Sequence, residues 1–569
     1  MSGSIVIGAA GFIGRAIVAH LLRQDHRVVA AVRPGTDRRL TTWLDAHDID
    51  RRGLTVVSCD VTAPDLGLPE RLDHSDIRDV YNCAARFAFG LEHQDAYAVN
   101  VTGALHALEW AGRLRDLRRV VHISGYRVTA DSAAEKHSDS GAYESTKVES
   151  DQLLRQRAEA KNIPLTIANP SSVVGTGQYI GLAKVIEDLW RGKLPAIPGG
   201  NDTFVPVVDL DYFVGFLIAL PKLPDTAGHS YTVLDQRTPM LPSLIRLVAD
   251  HLGVRAPRAM IPAGVLARLP RAVTGADPET LTFLTEDRYD TTAAEDIARR
   301  AGLTMPPVED VLRRWVEHLV ASRFGAVDAD PSAGFLDGAW VGGDRRTPKY
   351  VLAHGLPLDS EEWAGVRGSL DGTSMVIDLP GLGRSAPDSI DDGLARALRS
   401  VETRPVLVGH SLGCAPVLRY AAAHPDRVSG IVLVAPAFLQ ERTRIPLRSP
   451  LTTIALRRVS ARRLAQLLAV PESEGVASAA ANLRRPGVAA RAVGAHRTAG
   501  AASTRRELRE LLDRVATPVH LVVGADDPLT VASAHPTTVI ESAGHFAPLT
   551  HPDQIAAALT ENTKSRSRA

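Results

Sequence analysis

Cysteine is scarce: the 569-residue chain carries three, Cys59, Cys83 and Cys414. Their spacing matches no metal or disulfide pattern. Each abuts a stretch that reads as core strand or helix, which makes them small buried hydrophobes. Net charge is absent as well. Lys plus Arg and Asp plus Glu each number 65, so no global field argues for nucleic acid or an anionic membrane as partner. No apolar run is long enough to span a bilayer. The first residues lack the basic start, apolar stretch and small-residue cleavage site of a signal peptide. These absences lead to the expectation of a soluble, cytoplasmic protein. Glycine and proline are too few to suggest disorder.

What is present is two runs of alternating short apolar strands and amphipathic helices. The length exceeds what one hydrophobic core holds, so at least two domains are expected. In the first run the strands are "SIVIG", "RVVAAV", "LTVVSC", "DVYNCAA", "RVVHIS" and "LTIANP". In the second they are "KYVLAHG", "SMVIDL", "PVLVGHS", "GIVLVAPA", "VHLVVG" and "TTVIES". Such alternation implies parallel sheets with helices on both faces. The expected division is a first domain over 1–323, a Gly/Asp/Pro-rich linker over 324–346 with a short strand near Trp340, a second domain over 347–562 and a tail over 563–569.

The first strand runs into "GAAGFIG", with Gly8, Gly11 and Gly14 between strand and helix. The glycines permit a tight turn and close approach to a pyrophosphate, and the helix N-terminus offers free N–H groups. The next strand ends in "AAVRPGTDRR" instead of an acidic residue. Arg33, helped by Arg38, suits a 2′-phosphate, so NADP(H) is the expected cofactor, unless both arginines are solvated loop residues. In "YESTK", Tyr143 and Lys147 stand at i and i+4, one face of a helix. An ammonium beside a phenol stabilises the phenolate, so Tyr143 can exchange a proton with a carbonyl oxygen.

With these motifs, and with "CDVT", "NCAA", "NVTGALHALEWA", "HISG" and "NPSSVVG", the first half resembles the extended short-chain dehydrogenase/reductase family. The resemblance is strong over residues 3–210. It implies a Rossmann-type doubly wound parallel sheet in which Asp60 contacts adenine, Ala84 lies beside the cofactor, Lys147 holds the nicotinamide ribose and Asn100 supports a proton relay. The stretch "FVPVVDLDYF" looks like the acyl-thioester and fatty-acyl reductase branch, which implies acyl or aldehyde substrates. One position departs from the pattern. Where the family places Ser or Thr stands Gly125, with Ser124 one residue earlier. The polarising hydroxyl then falls to Ser124, Tyr126, Ser138 or Ser140.

In the second half, "GHSLG" follows an apolar strand and precedes a helix, a turn that exposes the Ser411 hydroxyl. "VVGADDPL" and "SAGHFAPLTHP" then supply carboxylates and His545, each just after a strand. A serine needs a base, an acid to orient the base, and an oxyanion hole. The order Ser, Asp, His, together with "LAHGL" and "DLPGLGRS", resembles the α/β-hydrolase family. By that resemblance Asp527, three residues after Gly524, is preferred to Asp526 as the acid. The backbone N–H groups of Leu356 and Leu412 would form the oxyanion hole. A helical lid is expected over 438–515. Its arginines, Arg442, Arg444, Arg448, Arg457, Arg458, Arg462 and Arg463, form either a solvated helix face or a cradle for the phosphate of an acyl-CoA or an acyl carrier protein. No metal site is expected.

The expected whole is a bifunctional enzyme with small-molecule substrates, an NADP-dependent oxidoreductase joined to an esterase, thioesterase or lactonase. Two rival readings stand beside it. One is an NAD-dependent epimerase or dehydratase in the first half, against which Arg33 argues. The other is a half retained only for binding or sensing.

Overall fold

The computed structural model describes residues 3–86, 92–128, 142–266, 268, 283–440, 450–531 and 533–566. The chain folds into two compact units. The first is Met1–Lys184, Ala196–Leu247 and Pro257–Trp315; the second is Val185–Pro195, Val248–Ala256 and Val316–Ala569. The division therefore is not the single boundary near residue 323 that composition suggested. Within the second unit, Trp190 packs its ring against the Arg485 guanidinium at 3.3 Å, which assigns its segment to that core.

The first unit holds a seven-stranded sheet of β1 (Gly3–Ile7), β2 (Arg27–Val32), β3 (Leu54–Ser58), β4 (Ile77–Asn82), β5 (Arg119–Ile123), β6 (Leu165–Pro170) and β7 (Ser230–Val233). The order is β7-β6-β5-β4-β1-β2-β3, and every pairing is parallel. The β-branched runs bury both faces. Val6, Val28 and Ala30 enter one core, and Ile5, Ile7, Val29 and Ala31 the other, as the period of two requires. The strand order reverses between β1 and β4. At such a switch point the loops leaving the two strands diverge and open a crevice beyond their carboxyl ends.

The second unit holds eight strands: β8 (Gly334–Leu336), β9 (Ala339–Gly343), β10 (Tyr350–Ala353), β11 (Ser374–Ile377), β12 (Val406–His410), β13 (Gly430–Val434), β14 (Val519–Gly524) and β15 (Thr537–Ile540). Their order is β8-β9-β11-β10-β12-β13-β14-β15. The pairings of β9 are antiparallel and the remainder parallel. β12 is central, with Val406 and Val408 facing one core and Leu407 the other.

The short strand expected near Trp340 is β9, but it and β8 belong to the second sheet, so residues 334–343 are not part of a linker. Phe335 pairs with Trp340 and Leu336 with Ala339 around Asp337 (φ 48°) and Gly338 (φ 83°). Two positive φ values in a two-residue loop are what an Asp-Gly hairpin turn demands. Both strands are too short to show a period, so the dipeptide was the one signal of their pairing. The last helix, Pro552–Arg566, likewise runs into the stretch expected as a tail. Five helices, Pro450–Arg457, Ala461–Leu468, Glu474–Leu483, Val488–Gly500 and Ala502–Arg514, lie in sequence between β13 and β14.

Candidate active sites

At the switch point of the first sheet, β1 turns through Gly8 into helix α1 (Phe12–Leu22). Gly8 sits at φ 80°, and a Cβ there would stand 2.9 Å from the Ala84 nitrogen. A Cβ on Gly14 would stand 2.3 Å from the Gly8 carbonyl oxygen. Only glycine fits either position. Gly11 is the N-cap of α1, where no side chain caps the helix and no acidic residue enters the first turn. The turn therefore fits a dinucleotide: a backbone open to close approach, facing an uncapped helix N-terminus. Ala84, leaving β4, lies against this turn. Arg33 and Arg38 are exposed just beyond β2. Asp60 is exposed too. One of its oxygens accepts from the Thr62 backbone N–H at 3.0 Å and from its hydroxyl at 2.7 Å, and these two bonds lower its pKa.

Helix α2 (Ala142–Lys161) carries Tyr143 and Lys147 on consecutive turns. The Tyr143 side chain lies outside the described residues, as do Ser138 and Ser140. Lys147 is buried, and its ammonium donates to the Ile123 carbonyl at the end of β5 at 3.1 Å. Burial brings its pKa down to about 8. Asn100 is buried in a π-helical turn, Ala98–Thr102. It accepts from the Arg86 N–H at 2.9 Å and donates to the Thr146 hydroxyl at 3.2 Å. It thereby ties the element after β4 to the helix of the lysine.

β5 ends at Ile123, yet the Ser124 N–H still bonds the Ala168 carbonyl, 2.9 Å away. The Ser124 hydroxyl is buried with no hydrogen-bond partner among the described residues. So are the Tyr126 and Ser171 hydroxyls and the Asn169 amide oxygen. A buried polar group without a partner costs about 1–3 kcal/mol, so these four, at and just past the ends of β5 and β6, mark a place where a polar ligand would be welcome. At Gly125 a Cβ would meet nothing within 4 Å. Among the described residues no side chain fills the place where the family carries its hydroxyl.

In the second unit, β12 ends at His410 and helix α3 begins at Cys414. Between them Ser411 adopts φ 49°, a left-handed conformation that costs a non-glycine residue roughly 1–3 kcal/mol. Gly409 and Gly413 make the turn possible. Their Cβ atoms would stand 2.5 Å from the Gly413 oxygen and 2.6 Å from the Ala353 oxygen. The Ser411 hydroxyl lies 2.9 Å from His545 Nε2. On the other side of that ring, Nδ1 lies 2.7 Å from the Asp527 carboxylate. With the Nδ1 proton on the carboxylate side, the Nε2 lone pair faces the serine O–H. Asp526 is exposed, and its backbone N–H bonds the Ala543 carbonyl. Asp527 is also held by the Gln440 amide, a residue that sequence reasoning missed because nothing local marks it.

The loop carrying Leu356 passes beside the serine. A Cβ on Gly355 would stand 3.0 Å from the Ser411 Cβ. Behind it, Asp378 and Arg384 of "DLPGLGRS" form a buried pair at 2.9 Å. Burial opposes the Asp378 charge, but the Arg384 guanidinium holds its carboxyl below the usual carboxylate range. A small hollow beside Leu356 is walled by Leu382, Leu483, Val488 and Ala492, so two of the five helices contribute to it. Arg457, Arg458, Arg462 and Arg463 are exposed. Arg442, Arg444 and Arg448 lie outside the described residues. Cys59 and Cys414 are buried and Cys83 half-buried, all three free. Among the described residues no helix is long and apolar enough to cross a membrane.

Residues 6–216 match the model of the NAD-binding male sterility protein family, and residues 350–558 that of the alpha/beta hydrolase family. The pimeloyl-[acyl-carrier protein] methyl ester esterase of Edwardsiella ictaluri is 30% identical over 242 residues, which are 38% of this chain and 93% of that protein. The chloroplastic divinyl chlorophyllide a 8-vinyl-reductase of Zea mays is 35% identical over 107 residues, 19% of this chain and 26% of that protein. Among solved structures, the terminal R domain from the myxalamid PKS-NRPS biosynthetic pathway covers 58% of this chain and 93% of its own at 18% identity, with a TM-score of 0.47. The chain thus joins an N-terminal domain of the NAD-binding male sterility type to a C-terminal domain that belongs to the α/β hydrolase family.

Proposed function

We propose that the chain is a bifunctional enzyme, an NADPH-dependent carbonyl or acyl-thioester reductase joined to a serine esterase. The observation that carries the esterase is the unbroken run of hydrogen bonds from the Ser411 hydroxyl through His545 to Asp527. In this reading His545 takes the serine proton as the hydroxyl attacks an ester carbonyl. It then returns the proton to the leaving alcohol, while Asp527 stabilises the imidazolium. The N–H groups of Leu356 and Leu412 hold the oxyanion, each contributing about 3–4 kcal/mol at the transition state. The esterase relative supports a carrier-bound acyl ester as substrate. The exposed Arg457, Arg458, Arg462 and Arg463 suit the phosphate of a carrier or a CoA.

In the reductase half, Gly8, Gly11 and Gly14 would hold the pyrophosphate, Arg33 and Arg38 the 2′-phosphate, and Lys147 the ribose. Asp60 would meet the adenine. The bound nicotinamide supplies hydride. Tyr143 gives the proton to the carbonyl oxygen, and the Lys147 ammonium stabilises the phenolate left behind. Ser124 and Tyr126, whose buried hydroxyls have no hydrogen-bond partner among the described residues, are donors available to polarise that carbonyl.

Purified full chain decides the matter. It is assayed for NADPH and NADH oxidation with aldehydes, β-keto esters and acyl-CoA, and for hydrolysis of short and long aryl esters. Ser411→Ala is expected to abolish hydrolysis and spare reduction, and Tyr143→Phe to do the reverse. Loss of neither activity in its own variant would overturn the reading.

A further inference from the structure

A second acid–imidazole pair lies behind Ser411, and the hydrolysis written above does not use it. His410 ends β12, and Glu362 lies 48 positions earlier in the turn Ser360–Trp363. Both side chains are fully buried. His410 Nδ1 lies 3.2 and 3.1 Å from the two Glu362 oxygens. Its Nε2 lies 2.8 Å from the backbone carbonyl oxygen of His545. A carbonyl and a carboxylate only accept, and a neutral imidazole has one N–H to give. An imidazolium has two and satisfies both.

Glu362 has a second duty. Its Oε1 accepts the Gly355 N–H at 2.9 Å, one residue before Leu356. That bond, and the near-equal approach of both oxygens to Nδ1, favour the carboxylate and leave the proton on His410. Glycine at 355 is required by the same contact, since a Cβ there would stand 2.6 Å from His410 Nδ1.

We propose that the buried Glu362–His410 pair positions the hydrolytic machinery, fixing the His545 loop through its carbonyl and the Gly355–Leu356 loop through its N–H. The inference rests on the esterase reading of Ser411. Each loop leaves a different strand, and each carries a group whose placement the chemistry needs within fractions of an ångström. One ion pair holds both.

The charges around His410 agree. Burial opposes its cation, but Glu362, the His545 carbonyl and Asp527 outweigh burial and raise its pKa. Trp363 and Phe546 pack their edges against the ring and carry no charge. His354, at the end of β10, is fixed as a neutral tautomer. Its Nε2 accepts the Leu379 N–H at 2.9 Å, and its Nδ1 donates to the Gly355 carbonyl at 3.0 Å. The His410 and His545 ring centres are 5.4 Å apart, and Glu362 lies on the far side of His410.

The test uses the full chain, with Ser411 counted by a fluorophosphonate label. Glu362→Gln is expected to lower kcat per labelled serine on an aryl ester by about 10- to 100-fold, with KM within about twofold. The double variant Glu362→Gln/His410→Gln strands no buried charge and should show the same fall in kcat with KM retained. In wild-type protein labelled with 15N-histidine, His410 should still show two N–H protons above the pH at which an ordinary imidazole has lost one. Unchanged kcat per labelled serine in both variants, or a single N–H on His410, would overturn the inference while the esterase stands. A wild-type protein without Ser411-dependent hydrolysis would overturn the esterase reading and this inference with it.

Discussion

Two glycine-bearing turns, each joining a central parallel strand to a helix, do opposite work in this chain. At Gly8 the positive φ is free, because glycine has no Cβ to strain, and the turn presents bare backbone. At Ser411 the positive φ is imposed on a serine, and the turn presents a side chain. The second site is closed on itself: hydroxyl, imidazole and carboxylate each find the next within 2.9 Å. The first is open. Its lysine is anchored, but Ser124, Tyr126 and Ser171 hold buried hydroxyls with no described partner.

The comparison breaks hardest at the carboxylate. Asp527→Asn should reverse the His545 tautomer and lower ester kcat by about 10⁴-fold. Asp526→Asn, one residue away and exposed, should change it less than about twofold. Equal losses measured by steady-state hydrolysis would remove the distinction between them.

A smaller effect separates the halves by pH. The Lys147 pKa lies at about 8, below the ordinary lysine value, so its ammonium is present below that pH and lost above it. Reduction of an aldehyde should fall above about pH 8, approaching tenfold per unit. Aryl ester hydrolysis in the same tube has no need of Lys147 and should not fall with it. A reductase rate flat to about pH 10 would detach Lys147 from the reaction.

The smallest effect sharpens the open site. Gly125 faces space, so Gly125→Ser restores a hydroxyl where the reductase family carries one. One added hydrogen bond to the carbonyl should raise kcat/KM by about 2- to 10-fold. A loss would show that Ser124 already fills that place.

Much of this was legible in the residues. Parallel strands buried on both faces read as continuous apolar runs, which is why "RVVAAV" and "LTIANP" mark β2 and β6 to the residue. Ser411, Asp527 and His545 could be read because each sits just past a strand, where the chain must turn and side chains converge. A strand near Trp340 was legible, but its three-residue partner Gly334–Leu336 across Asp337–Gly338 was too short to show a period. Glu362 was hidden for another reason. Its partner is set by sheet order, since β10 and β12 are neighbours in space with β11 between them in sequence. His410 was in view, inside "GHSLG", but a histidine on a buried strand end announces no role until its two acceptors are seen.

The most direct measurement is the mass of the enzyme during turnover. Protein mixed with an aryl ester, quenched in acid within the first turnovers and digested, should carry one acyl group on the peptide containing Ser411. Ser411→Ala should carry none. Hydrolysis at full rate with no acyl group on Ser411, or with it on another residue, would contradict the account.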